Sequence, residues 1–494
     1  MTSESSFGHV IGGEEVDSLD GATFDSIDPW LREPWAEIAL GGKADADRAI
    51  AAARKAFDEG PWPRMGFTAR GAILHRLADL MEEHAAELGM ADTRDMGKPI
   101  TQARDNDVSR SALNFRFFAD HARLSTGEVL PMDAGHHTYT RFDPAGVVAA
   151  IAPWNFPLML ETWKVAPALA WGNTVVLKPA EDTPASATIL ARLALEAGMP
   201  AGVLNVVHGY GPNSAGQALT DNPAVDRITF TGESGTGKII ARAASAHLAP
   251  VSLELGGKGA NLVFADADLD NAVDWSIRAI YTNTGQVCLA GSRLFVQRPV
   301  YDEFLSRFVA ATEAMVIGDP KEETTQIGPL ASEEHYRKVK SYIDLVPSEG
   351  KMVTGGLGEG WVVKPTAVVD IAPDARLCRE EIFGPVVVVV PFDTEKEAVG
   401  LANNTPYGLS AMLFTDNLHR AHRVAAALKA GTVWVNCFFI RDLRAPFGGM
   451  GDSGVGREGG NFSREFFTEP KAIVMQIDRE CQSPQPAPTS VVAF

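Results

Sequence analysis

"RITFTGESGTGK", residues 227–238, passes from an apolar strand pattern through three glycines into a helix-forming segment. Residues 227–232 read as a strand, and "ESGTGKIIARAASA" (233–246) opens a helix. Gly232, Gly235 and Gly237 fall at the junction. Glycine lets the backbone approach a phosphate closely, and a helix N-terminus favours negative charge. The pattern is neither GxGxxG nor a P-loop, because Ile239 follows Lys238 where a P-loop needs Ser or Thr. On its own this stretch fits a structural turn as well as a nucleotide site. Upstream, "NTVVLKP" (173–179) is a strand, "ASATILARLALEAG" (185–198) a helix ending at Gly198, and "GVLNVVHG" (202–209) a strand. Such alternation implies right-handed βαβ units, a parallel sheet and an α/β fold.

The same periods extend outward. Residues 44–59 and 69–89 have helical apolar spacing, 137–152 is strand-like, and a second alternating block spans roughly 260–445. The longest apolar runs, 145–154 and 383–392, are too short to cross a bilayer and read as buried strands. The tail 481–494, rich in Pro and Ser, reads as flexible. With 494 residues the chain exceeds one ordinary core, so two or three domains are expected. Lys and Arg number 44 against 63 Asp and Glu, a net charge of −19 that disfavours nucleic acid and anionic membranes. A small anionic substrate needs only one or two local arginines and is not excluded. The N-terminus lacks a basic region followed by an apolar run, so no signal peptide is expected.

Four cysteines, Cys288, Cys378, Cys437 and Cys481, lie far apart with no CxxC pair or Cys/His cluster. No metal site is expected, and reduced thiols in the cytoplasm are the simplest reading. Cys288 sits among polar and small residues in "IYTNTGQVCLAG" (279–290) and is open to several roles, nucleophile among them. Lys178 and Glu181, in "LKPAE", follow a strand at its carboxyl end, where open α/β sheets bind ligands. A carboxylate there can accept hydrogen bonds from ribose hydroxyls and would repel a 2′-phosphate, favouring NAD over NADP. Asn155, in "APWNFP", is held between two prolines and could donate to an oxyanion. Glu254, in "LELGGK", ends a strand and could act as a general base. "EEIFGP" carries Glu381 and Phe383. Taken singly, each also fits a plain structural role: a turn Asn, a rim Glu, a core Phe.

Together and in this order, PWNFP, KPAE, FTGxxxxG, ELGGK, the cysteine of NTGQVC and EIFGP resemble the aldehyde dehydrogenase superfamily over about residues 10–478. The 34-residue separation of Glu254 and Cys288 fits the family pattern. The resemblance implies that Cys288 attacks an aldehyde carbon, with the Asn155 amide and the Cys288 N–H holding the oxyanion. Hydride then passes to NAD⁺ and leaves a thioester, which water activated by Glu254 hydrolyses. The positive nicotinamide and nearby N–H groups would favour the thiolate. Lys178 and Glu181 resemble the adenosine-ribose ligands, and Glu381 and Phe383 the nicotinamide-ribose end. Gly232 and Gly237 match glycines near the pyrophosphate, and Trp154 joins this cofactor set. Lys164, in "TWKV", resembles a family lysine near the catalytic glutamate, placed for a proton relay. Glu233 departs from the Ser that many relatives carry, which puts the phosphate-side hydrogen bonding in question.

FTGES, "NCFFIRDLR" before PFGG, and DVSR with NFRFFAD together resemble the 2-hydroxymuconic and 2-aminomuconic semialdehyde dehydrogenase branch. Its substrates, from aromatic catabolism, carry an aldehyde at one end and a carboxylate at the other. Arg110 and Arg441 are the expected carboxylate clamp, since planar guanidinium groups bind carboxylates bidentately. Arg116 reads as structural, with Arg444 and Arg457 in reserve. Other readings are a betaine-aldehyde or 5-carboxymethyl-2-hydroxymuconic semialdehyde dehydrogenase, a CoA-acylating relative, and a catalytically silent binding protein on this fold. The expected architecture is a Rossmann-like NAD-binding domain (1–120 and 143–254), a catalytic α/β domain (255–445), and oligomerisation or bridging segments (121–142 and 446–494). A hairpin at 125–142 with a strand at 471–477 would need a partner, giving a homodimer or homotetramer.

Overall fold

A computed structural model of the chain describes residues 5–132 and 135–477. Five parallel strands form the centre of an eight-stranded sheet, in the order Val251–Glu254, Arg227–Thr231, Val147–Ile151, Thr174–Lys178, Leu204–Val206. Strands Gly454–Val455 and His9–Ile11 cap its two sides in antiparallel pairing. The central strands Val147–Ile151, Thr174–Lys178 and Arg227–Thr231 are buried throughout, and only the first is wholly apolar. The chain enters at Val147–Ile151, winds to one side, then crosses back to Arg227–Thr231. A crevice therefore opens where the winding reverses, beyond the carboxyl ends of these two strands. The turns carrying Asn155 and Gly232 both leave from that point.

A second sheet of seven strands is parallel from Val363–Val369 to Thr432–Val435, with Lys351–Leu357 antiparallel at its edge. The Val386–Val390 run, buried throughout, lies inside it, as its unbroken apolar character requires. A third sheet pairs Thr468–Gln476 with His136–Pro144 and Val129–Leu130. Val129, Leu130, Val474 and Met475 are exposed there. No helix among the described residues is long and apolar enough to cross a membrane.

Three local differences from the sequence reading stand out. The helical stretch expected over 69–89 divides at His84 into Phe67–Glu83 and Ala85–Met96. The apolar period runs through both helices, so it cannot register a break one residue wide. The strand expected over 202–209 is limited to Leu204–Val206. A separate three-stranded sheet, Ser5–Phe7 with Glu33–Ala39 and Thr23–Asp28, escaped notice because its strands are short and interrupted by charge. The tail 481–494, with Cys481, lies outside the described residues.

Candidate active site

Cys288 follows a tight turn, Thr282–Gly285, in which Asn283 and Thr284 adopt left-handed backbone conformations with φ of 51° and 56°. Such residues cost about 1–3 kcal/mol each and persist only where their surroundings hold them. The Asn283 Nδ2 donates to the Asn155 carbonyl at 2.7 Å, and the Asn283 backbone N–H donates to Gln102 Oε1 at 3.0 Å. Gly285 has φ +72°, and a Cβ there would lie 2.3 Å from the Gly384 carbonyl oxygen. Asn155 is buried, and its Nδ2 donates to the Gln286 carbonyl at 2.9 Å. That bond uses one of the two amide hydrogens and leaves the second for another acceptor.

Two cavities meet at Cys288, Thr231 and Leu255. One, of about 470 Å³, fills the crevice beyond the first sheet and is walled by Trp154, Asn155, Glu181, Gly232, Glu381 and Phe383. The other, of about 200 Å³, is largely apolar, with Phe156, Met159, Leu160 and Trp163 in its wall, and contains Arg110, Arg441, Glu254 and Glu458. The thiol thus faces a polar cleft on one side and a largely apolar cavity on the other. Burial, and then the charges of Glu381 and Glu254, push the Cys288 thiol up to about 12. Thiolate formation at neutral pH therefore needs a positive charge brought to the cleft.

Glu254 ends its strand buried, and neither carboxylate oxygen has a protein partner. Gly448 makes room for it, since a Cβ there would lie 2.7 Å from Glu254 Oε1. Burial first, and the charge of Glu458 second, hold the Glu254 carboxyl well above the usual carboxylate range, while Lys164, Arg441 and Arg457 act the other way. Lys164 does not bond Glu254. Its Nζ donates to Glu458 Oε1 at 3.1 Å and lies 3.1 Å from Thr229 Oγ1. Glu458 was not singled out in the sequence, where it is one charge in a glycine-rich turn with its partner 294 residues away.

The arginines separate cleanly. The Arg441 guanidinium lies between two rings, 4.0 Å from the Trp163 centroid and 3.8 Å from that of Phe447, and its Nη2 is buried without a partner. Burial and the neighbouring Arg110 charge lower it to about 9. Among the described residues Arg110 reaches only the neutral Asn114, Nε to Oδ1 at 3.3 Å. By contrast, Arg116 forms ion pairs with Asp79 and Glu82, and Arg444 pairs with Asp442 at 2.6 Å on the surface. Arg457 donates to the Gly449 carbonyl.

On the cleft side, Glu381 Oε1 accepts from the Gly257 N–H at 2.8 Å, and burial raises Glu381 to about 7. Trp154, His335 and Phe383 form an aromatic cluster with centroids 4.8–5.9 Å apart. Lys178 is buried behind the wall, its Nζ donating to the Pro179 carbonyl at 2.8 Å and lying 3.4 Å from Glu181 Oε2. Gly237 lies inside the helix Ser234–Ser245 and packs on Leu255, 2.5 Å from where its Cβ would be, so it serves helix packing rather than the cleft wall. Glu233 is the N-cap of that helix; it is exposed and stands in the lining of the same cleft, next to Gly232.

The chain is similar to known proteins over nearly its whole length. The family model for the aldehyde dehydrogenase family matches residues 16–473. The chain is 48% identical over 482 residues to a 2-hydroxymuconic semialdehyde dehydrogenase of Pseudomonas sp. (strain CF600), covering 95% of this chain and 99% of that protein. It is 44% identical over 487 residues to a 2-aminomuconic 6-semialdehyde dehydrogenase of Pseudomonas sp., covering 96% and 98%. The NAD⁺ complex of an aldehyde dehydrogenase from Bacillus cereus superposes with a TM-score of 0.93 at 41% identity, covering 96% of this chain and 97% of that one. The chain belongs to the aldehyde dehydrogenase family.

Proposed function

We propose that this enzyme oxidises an unsaturated semialdehyde with a distal carboxylate, of the 2-hydroxymuconic or 2-aminomuconic class, to the diacid. NAD-dependent aldehyde oxidation itself follows from family membership. The finer reading rests on one observation: Arg110 and Arg441 share the apolar cavity that ends at Cys288, and among the described residues neither forms an ion pair. Two unpaired guanidinium groups in a largely apolar cavity are costly, and a carboxylate between them relieves that cost. The relatives named for muconic semialdehydes support the same class.

The cleft residues suit a dinucleotide. Acidic acceptors stand at Glu181 and Glu381, the Thr231 hydroxyl is buried with no protein partner, and Gly256 leaves the space that Glu381 uses, 2.1 Å from where a Cβ would sit. Lys178 holds Glu181 in place for an adenosine ribose, while Trp154, Glu381 and Phe383 frame the nicotinamide end. When bound, NAD⁺ supplies a positive charge beside the thiol and an acceptor for the aldehyde hydrogen. Cys288 Sγ attacks the carbonyl carbon, and the second Asn155 N–H with the Cys288 N–H receives the oxyanion. Once the thioester exists, Glu254 takes a proton from water, the water oxygen bonds to the acyl carbon, and the C–S bond breaks to return the Cys288 thiolate, while the Lys164–Glu458 pair acts on Glu254 only through its charge. Residues 1–120 and 143–254 would serve the cofactor and 255–445 the chemistry. The exposed third sheet supports a homodimer or homotetramer.

Steady-state kinetics with NAD⁺ test the substrate class. 2-Hydroxymuconic semialdehyde is expected to exceed betaine aldehyde and a neutral aliphatic aldehyde in kcat/KM by at least ~10-fold, the order of one charge-assisted hydrogen bond. Preference for the cationic or neutral aldehyde rejects the carboxylate clamp.

A further inference from the structure

Lys98 is among the largest fully buried side chains of the molecule and lies outside both cavity walls. It follows Gly97, whose φ of +74° ends the helix Ala85–Met96 and turns the chain inward. Its ammonium meets three elements. Nζ donates to Asp107 Oδ2 at 2.5 Å and to the Asn155 carbonyl at 3.2 Å, and it stands 3.5 Å above the centroid of Phe156. Asp107 belongs to a π-helical segment, Gln102–Val108, that leads directly into the helix Ser109–Arg123 bearing Arg110. Asp107 and Phe156 both line the cavity that Arg110 enters.

The Asn155 carbonyl has two lone pairs, and both are used. Asn283 Nδ2, from the turn before Cys288, takes one at 2.7 Å, and Lys98 takes the other. The Asn155 side chain is then fixed through Gln286. One peptide unit is thus clamped between the nucleophile turn and a buried cation, and that cation is tied to the π-helical segment. A buried ion pair is weak grounds for stability, since apolar replacements of similar volume are often neutral. Its geometry, rather than its energy, needs explaining. Single-turn π segments often occur at functional sites, and this one sets the start of the helix that carries an anchor arginine.

We infer that Lys98 is a positioning residue for the oxidation, holding the Asn155 amide in register with the Cys288 turn and with the Arg110 helix. This rests on Asn155 acting as the oxyanion donor. Misplacement of a catalytic group by about 1 Å can cost on the order of 100-fold in rate. Lys98→Met preserves most of the volume and removes the charge and the donor. It is expected to lower kcat by ~10- to 100-fold on both the semialdehyde and a neutral aldehyde, with the KM for NAD⁺ unchanged.

A double-mutant cycle on the intact enzyme provides the test, with thermal melting of each variant to verify folding. Lys98→Met, Asn155→Ala and the double variant are compared in kcat. If Lys98 acts through Asn155, the double variant loses no more than Asn155→Ala alone. Losses that multiply in full, or a folded Lys98→Met with unchanged kcat, overturn the inference. A folded Asn155→Ala with unchanged kcat instead overturns the oxyanion reading beneath it. Should Lys98→Met fail to fold, Asp107→Asn takes its place in the same cycle, because it releases the ammonium from its anchor while keeping side-chain shape. Asp107→Asn must then lower kcat and be silent in the Asn155→Ala background; any other pattern counts against the inference.

Discussion

Cys288→Ala is expected to reduce NADH formation on the order of 10⁴-fold or more, in line with removal of a covalent nucleophile. The physical reason is local. Alanine keeps the left-handed turn at Asn283 and Thr284 and the Gly285 contact, because none of these uses the thiol. Fold, melting temperature and NAD⁺ affinity should therefore stay near the parent values. What disappears is the only sulfur at the meeting point of the two cavities among the described residues; Cys378 is buried elsewhere and Cys437 lines neither. Unchanged turnover would remove Cys288 from the mechanism.

Glu254→Gln is expected to lower steady-state turnover by ~10²- to 10⁴-fold, the usual worth of a positioned general base. Its effect should fall on deacylation. Rapid mixing should then show a first burst of about one NADH per active site, followed by a slow phase. Equal slowing of the burst would move Glu254 to the acylation step. The pH dependence follows from the raised carboxyl. The base is the deprotonated form, so kcat should rise with pH through a limb lying above the ordinary carboxylate range. In Glu254→Gln that limb should vanish. Amide replacement suits the site, since neither carboxylate oxygen has a protein partner to lose.

The sequence carried the fold wherever a strand was a continuous apolar run. Val147–Ile151 and Val386–Val390 were such runs, since parallel strands covered on both faces are mostly apolar, while Thr174–Lys178 and Arg227–Thr231 were visible from shorter apolar stretches placed between helical segments. The short edge strands at 9–11, 14–16 and 23–28 were not, because pairing rather than composition makes them strands. Cys288, Glu254 and Asn155 could be put forward from the sequence because their motifs, in this order, resemble the aldehyde dehydrogenase superfamily; taken singly, each also fits a structural role. Glu458, Asp107 and Lys98 were not, because their meaning lies in partners distant in the chain: Lys164 for Glu458, Asn155 for Lys98. Arg441 was chosen from its loop, which also holds Phe447, but the second ring, Trp163, comes from the helix Pro157–Ala170 and could only be placed against it in the fold. Gly237 shows the opposite case, where a glycine in a phosphate-like pattern serves helix packing on Leu255.

The central claim is that a substrate carboxylate meets Arg441 while the aldehyde meets Cys288. The direct measurement is the ratio of kcat/KM for 2-hydroxymuconic semialdehyde to that for a neutral aliphatic aldehyde, in the parent enzyme and in Arg441→Ala. Taking the ratio cancels the packing lost between Trp163 and Phe447, which both substrates feel alike. The account predicts that the ratio falls ~10- to 100-fold in the variant, the worth of a charge-assisted hydrogen-bonded pair. A ratio unchanged by the substitution, with both substrates losing equally, would contradict it.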